Sequence, residues 1–337
     1  MVKIAVIIAE YNPFHNGHAY HIEQTRAAGA THIAVVMSGS FVQRGEPAFL
    51  PKRVRAKAAL LGGADLVLEL PAAFACAPAE RFAQGAVALA QGLGCAAMLS
   101  FGSENGSTAA LEQVVQALAH PQLGAALEPF LAQGMPFAAA RGQALRRLGL
   151  AEAAQVLENP NDTLAVEYLR ALQAQGGSLE LLAVRRQGVG HHGGSSGGFA
   201  SASYLRSLPK QQALGQWVPK AAAELYQQAW EQGQHIDPVR LDSAVLAVLR
   251  SLPRERFAAL PDLSEGLEHR LYTAVRQACS LEEIAALAKS RRYAHARLRR
   301  LVYSAFLGLP QTPALPPYLR LLGANPKGQE ILAARCV

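Results

Sequence analysis

Four short, nearly continuous apolar runs punctuate the first hundred residues: KIAVIIA (3 to 9), HIAVVMS (32 to 38), DLVLELP (65 to 71) and AAMLSFG (96 to 102). Each adjoins an alanine-rich segment of helical character. Runs this continuous are buried on both faces, and their alternation with helices predicts a doubly wound parallel α/β sheet. LELLAVRR (179 to 186) adds a fifth strand, so the expected fold is a five-stranded parallel sheet. Residues 105 to 160 read as mostly helical, broken at Gly124, Gly134 and Gly142. In NDTLAVEYLRAL (161 to 172), Asn161 or Asp162 caps a helix with Leu164, Tyr168, Leu169 and Leu172 at helical spacing. Beyond about residue 215 the pattern is wholly helical. The expected organisation is a catalytic domain over 1–210 and an all-helical C-terminal region over 211–337.

In such sheets, ligands bind beyond the carboxyl ends of the strands. Those ends carry EYNPFHNGH (10 to 18), SGSFVQRGEP (38 to 47), the ELP turn and FGSENG (101 to 106). A strand ending at Ala9 and a helix beginning near Gly17 leave free backbone N–H groups and a positive helix end, which is a phosphate cradle. Gly17 lets a ligand approach the backbone, and His15 and His18 can each donate a ring N–H to phosphate oxygens.

Composition narrows the class. A chain of 337 residues that is 50% hydrophobic can bury a substantial core, and its net charge of +7 suits a polyanionic partner. Cys76, Cys95, Cys279 and Cys336 are scattered without a Cys-x-x-Cys pair, which predicts small core residues, a reducing cytoplasm and no structural zinc. No export signal or membrane span is expected. There is no P-loop and no Gly-x-Gly-x-x-Gly after the first strand. GSSGG (194 to 198) matches the serine-hydrolase elbow in letters only, lacking the strand and helix that elbow needs, and reads as a mobile loop.

HNGH (15 to 18) resembles the His-x-Gly-His signature of the nucleotidylyltransferase superfamily, and SASYLR (201 to 206) resembles its late Ser-Ser-Thr-x-x-Arg-like motif. With IIAEYNPFHNGHAYHI, VVMSGSFVQRGEPAFLPKRVRAKAALLGGADLVLELP, LSFGSENG, NDTLAVEYLRAL and FASASYLR, the first 210 residues or so resemble the bacterial tRNA(Met) cytidine acetate ligase family. That resemblance implies a Rossmann-like nucleotidylyltransferase fold and ATP, with Mg2+, as the nucleotide. Acetate would be activated as acetyl-adenylate. The acetyl group would then pass to N4 of the wobble cytidine of elongator tRNA(Met), giving N4-acetylcytidine; no DNA partner is expected.

The same resemblance implies a site. His15, His18 and Arg206 would be catalytic. Nucleotide contacts would come from Ile7, Ile8, Ala9, Glu10, Tyr11, Asn12, Pro13, Phe14, Asn16, Gly17, Ala19 and Tyr20, together with Gly102, Asn161, Arg186 (or its neighbour Arg185), Ser201 and Ser203. Two positions depart from the family pattern: Asp162 stands where a second Asn is common, and His191 where a Tyr is usual. No spacing identifies metal ligands.

Gln43, Arg44, Lys52, Arg53 and Arg55 are candidates for the phosphates or the RNA backbone. KSRRYAHARLRR (289 to 300) places Lys289, Arg291, Arg292, Arg297, Arg299 and Arg300 in a short helical window around Tyr293 and His295, the pattern of an RNA-binding helix. Two other readings stay open. A nucleotidylyltransferase that adenylates a phosphorylated cofactor precursor explains HNGH and SASYLR but not SFVQRGEP or the basic helical region. A non-catalytic RNA-binding protein on a degenerate nucleotide fold leaves the intact histidines and Arg206 without a use.

Overall fold

A computed structural model describes residues 2–187, 195–208, 214–263, 266–290, 293–309 and 314–334. Its strands are β1 (Ile4–Ala9), β2 (His32–Ser38), β3 (Phe41–Val42), β4 (Glu46–Pro47), β5 (Leu66–Leu70), β6 (Met98–Ser103), β7 (Glu180–Arg185), β8 (Ser195–Ser196), β9 (Phe199–Ala200) and β10 (Leu321–Ala324). The five apolar runs became β1, β2, β5, β6 and β7, paired in parallel throughout. The main sheet has the order β10-β5-β2-β1-β6-β7. Burial follows the two-residue period of a strand: Ile4, Val6 and Ile8 enter one core, and Ala5 and Ile7 the core on the other face.

The sheet therefore has six strands where five were expected. Leu321–Ala324, in the region read as all-helical, pairs antiparallel with the edge of β5. The four residues LLGA carry no periodicity of their own. They become a strand because an open edge waits for them, and the Glu69 amide donates to the Arg320 carbonyl at 2.8 Å. The helix Pro326–Ala334 then lies back on the sheet, with Ile331 fully buried and Gly328 so close to the Asp65 carbonyl that no Cβ would fit.

β1 is central. β2 and β5 lie to one side of it and β6 and β7 to the other, so the chain switches direction beside β1, which opens a crevice at the carboxyl end of that strand. HNGH occupies that crevice. A third core, including Val245, Leu249, Phe257, Leu271, Val275 and Leu301, belongs to the helices between 238 and 307. Cys76 belongs to it and Phe41 packs against it.

SFVQRGEP folds as the β3–β4 hairpin and docks on the helix His295–Leu307. Phe41 packs on Tyr303 with ring centroids 5.1 Å apart, and Arg300 Nη1 donates to the Gln43 carbonyl at 3.3 Å. Gly45 has φ +71° and lies against the Arg299 and Arg300 backbone, where a Cβ would collide.

Several local expectations change. Asn159 caps the helix Pro160–Ala174, with Pro160 in its first turn, so neither Asn161 nor Asp162 is the cap. Within GSSGG, Ser195–Ser196 pairs with Phe199–Ala200 as a β8–β9 hairpin turning at Gly197 and Gly198, both at positive φ, and Gly194 lies outside the described residues. KSRRYAHARLRR is not one helix: Leu281–Ala288 ends before Lys289, and the next helix starts at His295. Arg291, Arg292, His191 and Cys336 lie outside the described residues. Cys76 is buried as expected, whereas Cys95 is half-buried and Cys279 exposed. Among the described residues no helix is long and apolar enough to cross a membrane.

Candidate active site

A cavity of about 500 Å³ opens beyond the carboxyl end of β1. Of the residues assigned to the nucleotide, it is lined by Ile8, Ala9, Glu10, Tyr11, Asn12, His15, His18, Gly102, Asn161, Arg186, Ser201 and Ser203, and Gln43 and Arg44 also reach it. Four other assignments fall elsewhere. Ile7 and Phe14 belong to the core, Asn16 Nδ2 donates to the Gly198 and Gln216 carbonyls, and Ala19 packs against the same core. Gly17 and Tyr20 line a smaller cavity next to it. Pro13 follows a cis bond from Asn12.

The two signature histidines stack with centroids 3.7 Å apart and planes at 24°. His15 caps the helix Asn16–Ala27: its Nδ1 accepts the Gly17 amide at 3.1 Å, and His18 Nδ1 accepts the His15 amide at 3.2 Å. A ring nitrogen that accepts carries no proton, so the proton of each neutral imidazole sits on Nε2. Burial pulls the His15 pKa down to about 3, helped by the Arg186 charge, and burial with His15 and Arg186 nearby lowers His18 well below its usual value. Both rings are therefore neutral Nε2–H donors at physiological pH.

This geometry revises the phosphate cradle. The first-turn amides are already taken: Asn16 donates to the Trp217 carbonyl, Gly17 to His15 Nδ1, and His18 to the His15 carbonyl. Donors to an anion here come from the imidazoles and Arg186. Gly17 is glycine because an added Cβ would lie 3.0 Å from His15 Cε1, so its role is to let the capping ring fold back.

A third histidine escaped the sequence reading, although HNGHAYH repeats the three-residue interval. His21 Nε2 meets Ser100 Oγ at 2.9 Å, and Ser100 Oγ meets Thr25 Oγ1 at 2.7 Å. Thr25 donates its proton to the His21 carbonyl, so Ser100 must donate to Thr25 and His21 must donate from Nε2. Its Nδ1 lone pair then has no partner among the described residues. Burial, with Arg186 adding to it, lowers its pKa to about 4.

Two buried polar atoms on the wall lack partners among the described residues: Tyr11 Oη and Asn12 Nδ2. A buried unsatisfied donor costs roughly 1–3 kcal/mol. Asn12 Oδ1 meanwhile accepts the Phe49 amide at 2.6 Å, leaving its Nδ2 as a fixed donor. Glu10, whose Oε1 accepts the Gln43 amide, has its pKa raised by burial.

Asn161 reaches the cavity but is oriented by Glu104, to which its Nδ2 donates at 2.5 Å. Asp162 is fully buried and gathers Ser103 Oγ, the Glu104 and Asn105 amides and Asn159 Nδ2. It is the carboxylate that shapes the FGSENG turn. A carboxamide could not accept from all four, which gives the Asp at this position a structural use. Ser201 caps the short helix after β9 by accepting the Tyr204 amide at 3.1 Å. Arg206 lies outside the cavity lining: its guanidinium donates to the Asn12 carbonyl at 2.8 Å and pairs with Glu46 at 3.2 Å, bracing the signature turn from behind.

Two of the basic candidates near residue 50 are engaged within the protein. Arg55 is fully buried and donates to the carbonyls of Leu50, Glu10, Ser38 and Gly39, tying together the ends of β1 and β2. Burial lowers its pKa to about 10, which leaves it charged. Lys52 pairs with Glu69 at 2.7 Å. Arg53 remains exposed.

In the 289–300 segment, Lys289 is exposed. Arg297 donates to the Asp262 carbonyl and pairs with its carboxylate at 3.4 Å, Arg299 pairs with Glu282 at 2.7 Å, and Arg300 spans Asp262 and Gln43. Among the described residues no group of three or more His, Cys, Asp or Glu side chains could hold a metal ion.

This architecture is shared. A family model described as HIGH Nucleotidyl Transferase matches residues 2–335. A tRNA(Met) cytidine acetate ligase from Syntrophomonas wolfei is 38% identical over 348 residues, covering 98% of this chain and 84% of the relative. One from Clostridium kluyveri is 37% identical over 352 residues, covering 98% of this chain and 86% of the relative. The crystal structure of Thermotoga maritima TmcAL bound with alpha-thio ATP superposes with a TM-score of 0.90 at 32% identity, covering 99% of this chain and 83% of that one. Its apo form gives 0.92.

Proposed function

The chain belongs to the HIGH nucleotidyl transferase family, among relatives named tRNA(Met) cytidine acetate ligase, and from that premise we propose that it activates acetate with ATP and acetylates tRNA. The observation that carries the reading is the stacked His15–His18 pair, with both Nε2–H groups available on the wall of a 500 Å³ cavity beside Arg186.

In the first step an acetate oxygen attacks the α-phosphorus of ATP, a P–O bond forms, the bond to the bridging oxygen breaks, and pyrophosphate leaves. No proton moves. Catalysis is then positioning and charge neutralisation, which neutral imidazole donors and a guanidinium supply in a partly desolvated site. In the second step the N4 amine of cytidine attacks the acetyl carbonyl, AMP leaves with the C–O bonding pair, and the amine gives up one proton.

Magnesium would travel with the triphosphate and screen its charge, with Glu10 and Glu158 the carboxylates on the cavity wall. The tRNA substrate is the wobble cytidine of elongator tRNA(Met), in a cytoplasmic setting. Residues 289–300 on the helical side are the candidate RNA surface. There phosphates compete with Glu282 for Arg299 and with Asp262 for Arg297. The β3–β4 hairpin joins that surface to the cavity, because Gln43 and Arg44 line the cavity while Gly45 rests on the helix His295–Leu307.

The test is pyrophosphate exchange into ATP with magnesium, offering acetate or phosphorylated cofactor precursors, without tRNA and then with it. Exchange that requires acetate is the expected result. Exchange driven only by a phosphorylated precursor would overturn it in favour of a plain nucleotidylyltransferase.

A further inference from the structure

A second cavity of about 60 Å³ adjoins the large one. The two share His15, His18, His21, Gly102 and Arg186 on their walls. The rest of the small cavity is lined by Gly17, Tyr20, Val184, Arg185, Gln187, Phe199 and Ala200. Gln187 Nε2 donates to Tyr20 Oη at 2.9 Å, and Phe199 meets the Tyr20 ring edge-on at 6.0 Å, so the outer wall is held by paired side chains. The shared side offers the Arg186 guanidinium and imidazole N–H groups, and the unshared side offers Val184, Phe199 and Ala200, with Arg185 at its edge.

We propose that this side cavity is the subsite for the small carboxylic acid, with the carboxylate on Arg186 and the methyl group against Val184, Phe199 and Ala200. The inference rests on the acetate-activating reading and adds where the acid sits and what limits its size.

Three observations support it. The reaction joins a carboxylate oxygen to the α-phosphorus, so the two reactants must meet at a wall common to both their sites, and the shared wall is the one formed by the histidines and Arg186. Arg186 makes no ion pair among the described residues, although it runs past Gly102, where an added Cβ would lie 3.7 Å from Arg186 Cγ. Arg186 is solvent-exposed and unpaired among those residues, so it is free to bind an anion, and here it serves two that would otherwise repel each other. The volume also fits. At about 10–15 Å³ per water-sized group, 60 Å³ takes roughly four to six, room for the four non-hydrogen atoms of acetate.

The experiment is acid-dependent pyrophosphate exchange with formate, acetate, propionate and butyrate, for the full chain and for Phe199→Ala and Ala200→Val, with ATP binding measured separately. The wild-type chain should fall off by tenfold or more for each carbon beyond acetate, the range one methylene commands in a hydrophobic pocket. Phe199→Ala should shift the propionate-to-acetate ratio upward by about tenfold, and Ala200→Val should raise the acetate KM by about tenfold, each with ATP affinity within twofold of wild type. Wild-type exchange that runs equally well with butyrate overturns the inference, as do variants that bind ATP normally and keep the parental acid preference. Loss of ATP binding in a variant leaves the decision to the wild-type acid series. Absence of any acid-dependent exchange in the wild-type chain would instead overturn the acetate-activating reading itself.

Discussion

The imidazoles of His15 and His18 lie face to face 3.7 Å apart, each with Nδ1 committed to a backbone amide of its own turn. The backbone thereby sets the tautomer. Both rings present Nε2–H to the cavity without carrying charge, and a neutral donor can follow the phosphate as charge shifts without first binding it too tightly.

Replacing His18 by Ala removes one transition-state donor and also the acceptor for the His15 amide. Acetate-dependent pyrophosphate exchange should fall by about two to three orders of magnitude. ATP affinity, measured by equilibrium binding, should change far less; equal losses in both would assign His18 to ground-state binding.

Stability should decline on acidification because of the buried imidazoles. Above pH 6.5 His15 is neutral in both the folded and unfolded chain, and its full contribution is present. Its folded pKa is depressed to about 3, so between pH 6.5 and about 3 only the unfolded chain binds the proton, and stability is lost as pH falls. By pH 5 this amounts to about 2 kcal/mol from His15 alone. Urea unfolding at pH 7 and pH 5 measures it, and His15→Asn, which keeps a capping oxygen but cannot titrate, should show a pH dependence smaller by about that amount.

Arg55→Met tests whether this guanidinium is a brace or a phosphate contact. Four carbonyls lose their donor, at roughly 1–3 kcal/mol per orphaned acceptor, so unfolding free energy should drop by about 4 kcal/mol or more. A phosphate contact would instead leave the urea midpoint in place and weaken ATP or tRNA binding.

The arginines on the helix His295–Leu307 should separate by position. Arg299, paired with the exposed Glu282, is the cleaner probe: Arg299→Ala should weaken tRNA binding and lower the slope of log affinity against log salt by about 1, with acetate-dependent exchange unchanged. Arg300→Ala removes a donor to the Gln43 carbonyl on the cavity hairpin, so it should damage exchange and tRNA binding together. Indistinguishable effects of the two changes would separate the hairpin from the nucleotide site.

Much of this molecule was readable along the chain because its signals are local. Continuous apolar runs mark strands buried on both faces, and β2 matches its run residue for residue. HNGH after a strand marks a ligand site because strand end and helix start are consecutive in sequence. The order of the strands was not marked along the chain: the switch point arises where β6 pairs on the far side of β1 instead of beside β5.

Other features depend on partners far away in sequence. Whether Arg55 meets solvent or four carbonyls, whether Arg206 faces the ligand or Glu46, and whether Leu321–Ala324 is helix or strand are decided by groups tens to hundreds of residues distant. A basic or aperiodic segment carries no mark of which it will meet. The amino-acid sequence alone determined the five parallel strands, the signature histidines and the family. Only the tertiary structure decided which nitrogen of each histidine carries the proton, which arginines are free to bind an anion, and how a small second cavity shares a wall with the large one, because hydrogen-bond satisfaction and burial are properties of the packed chain.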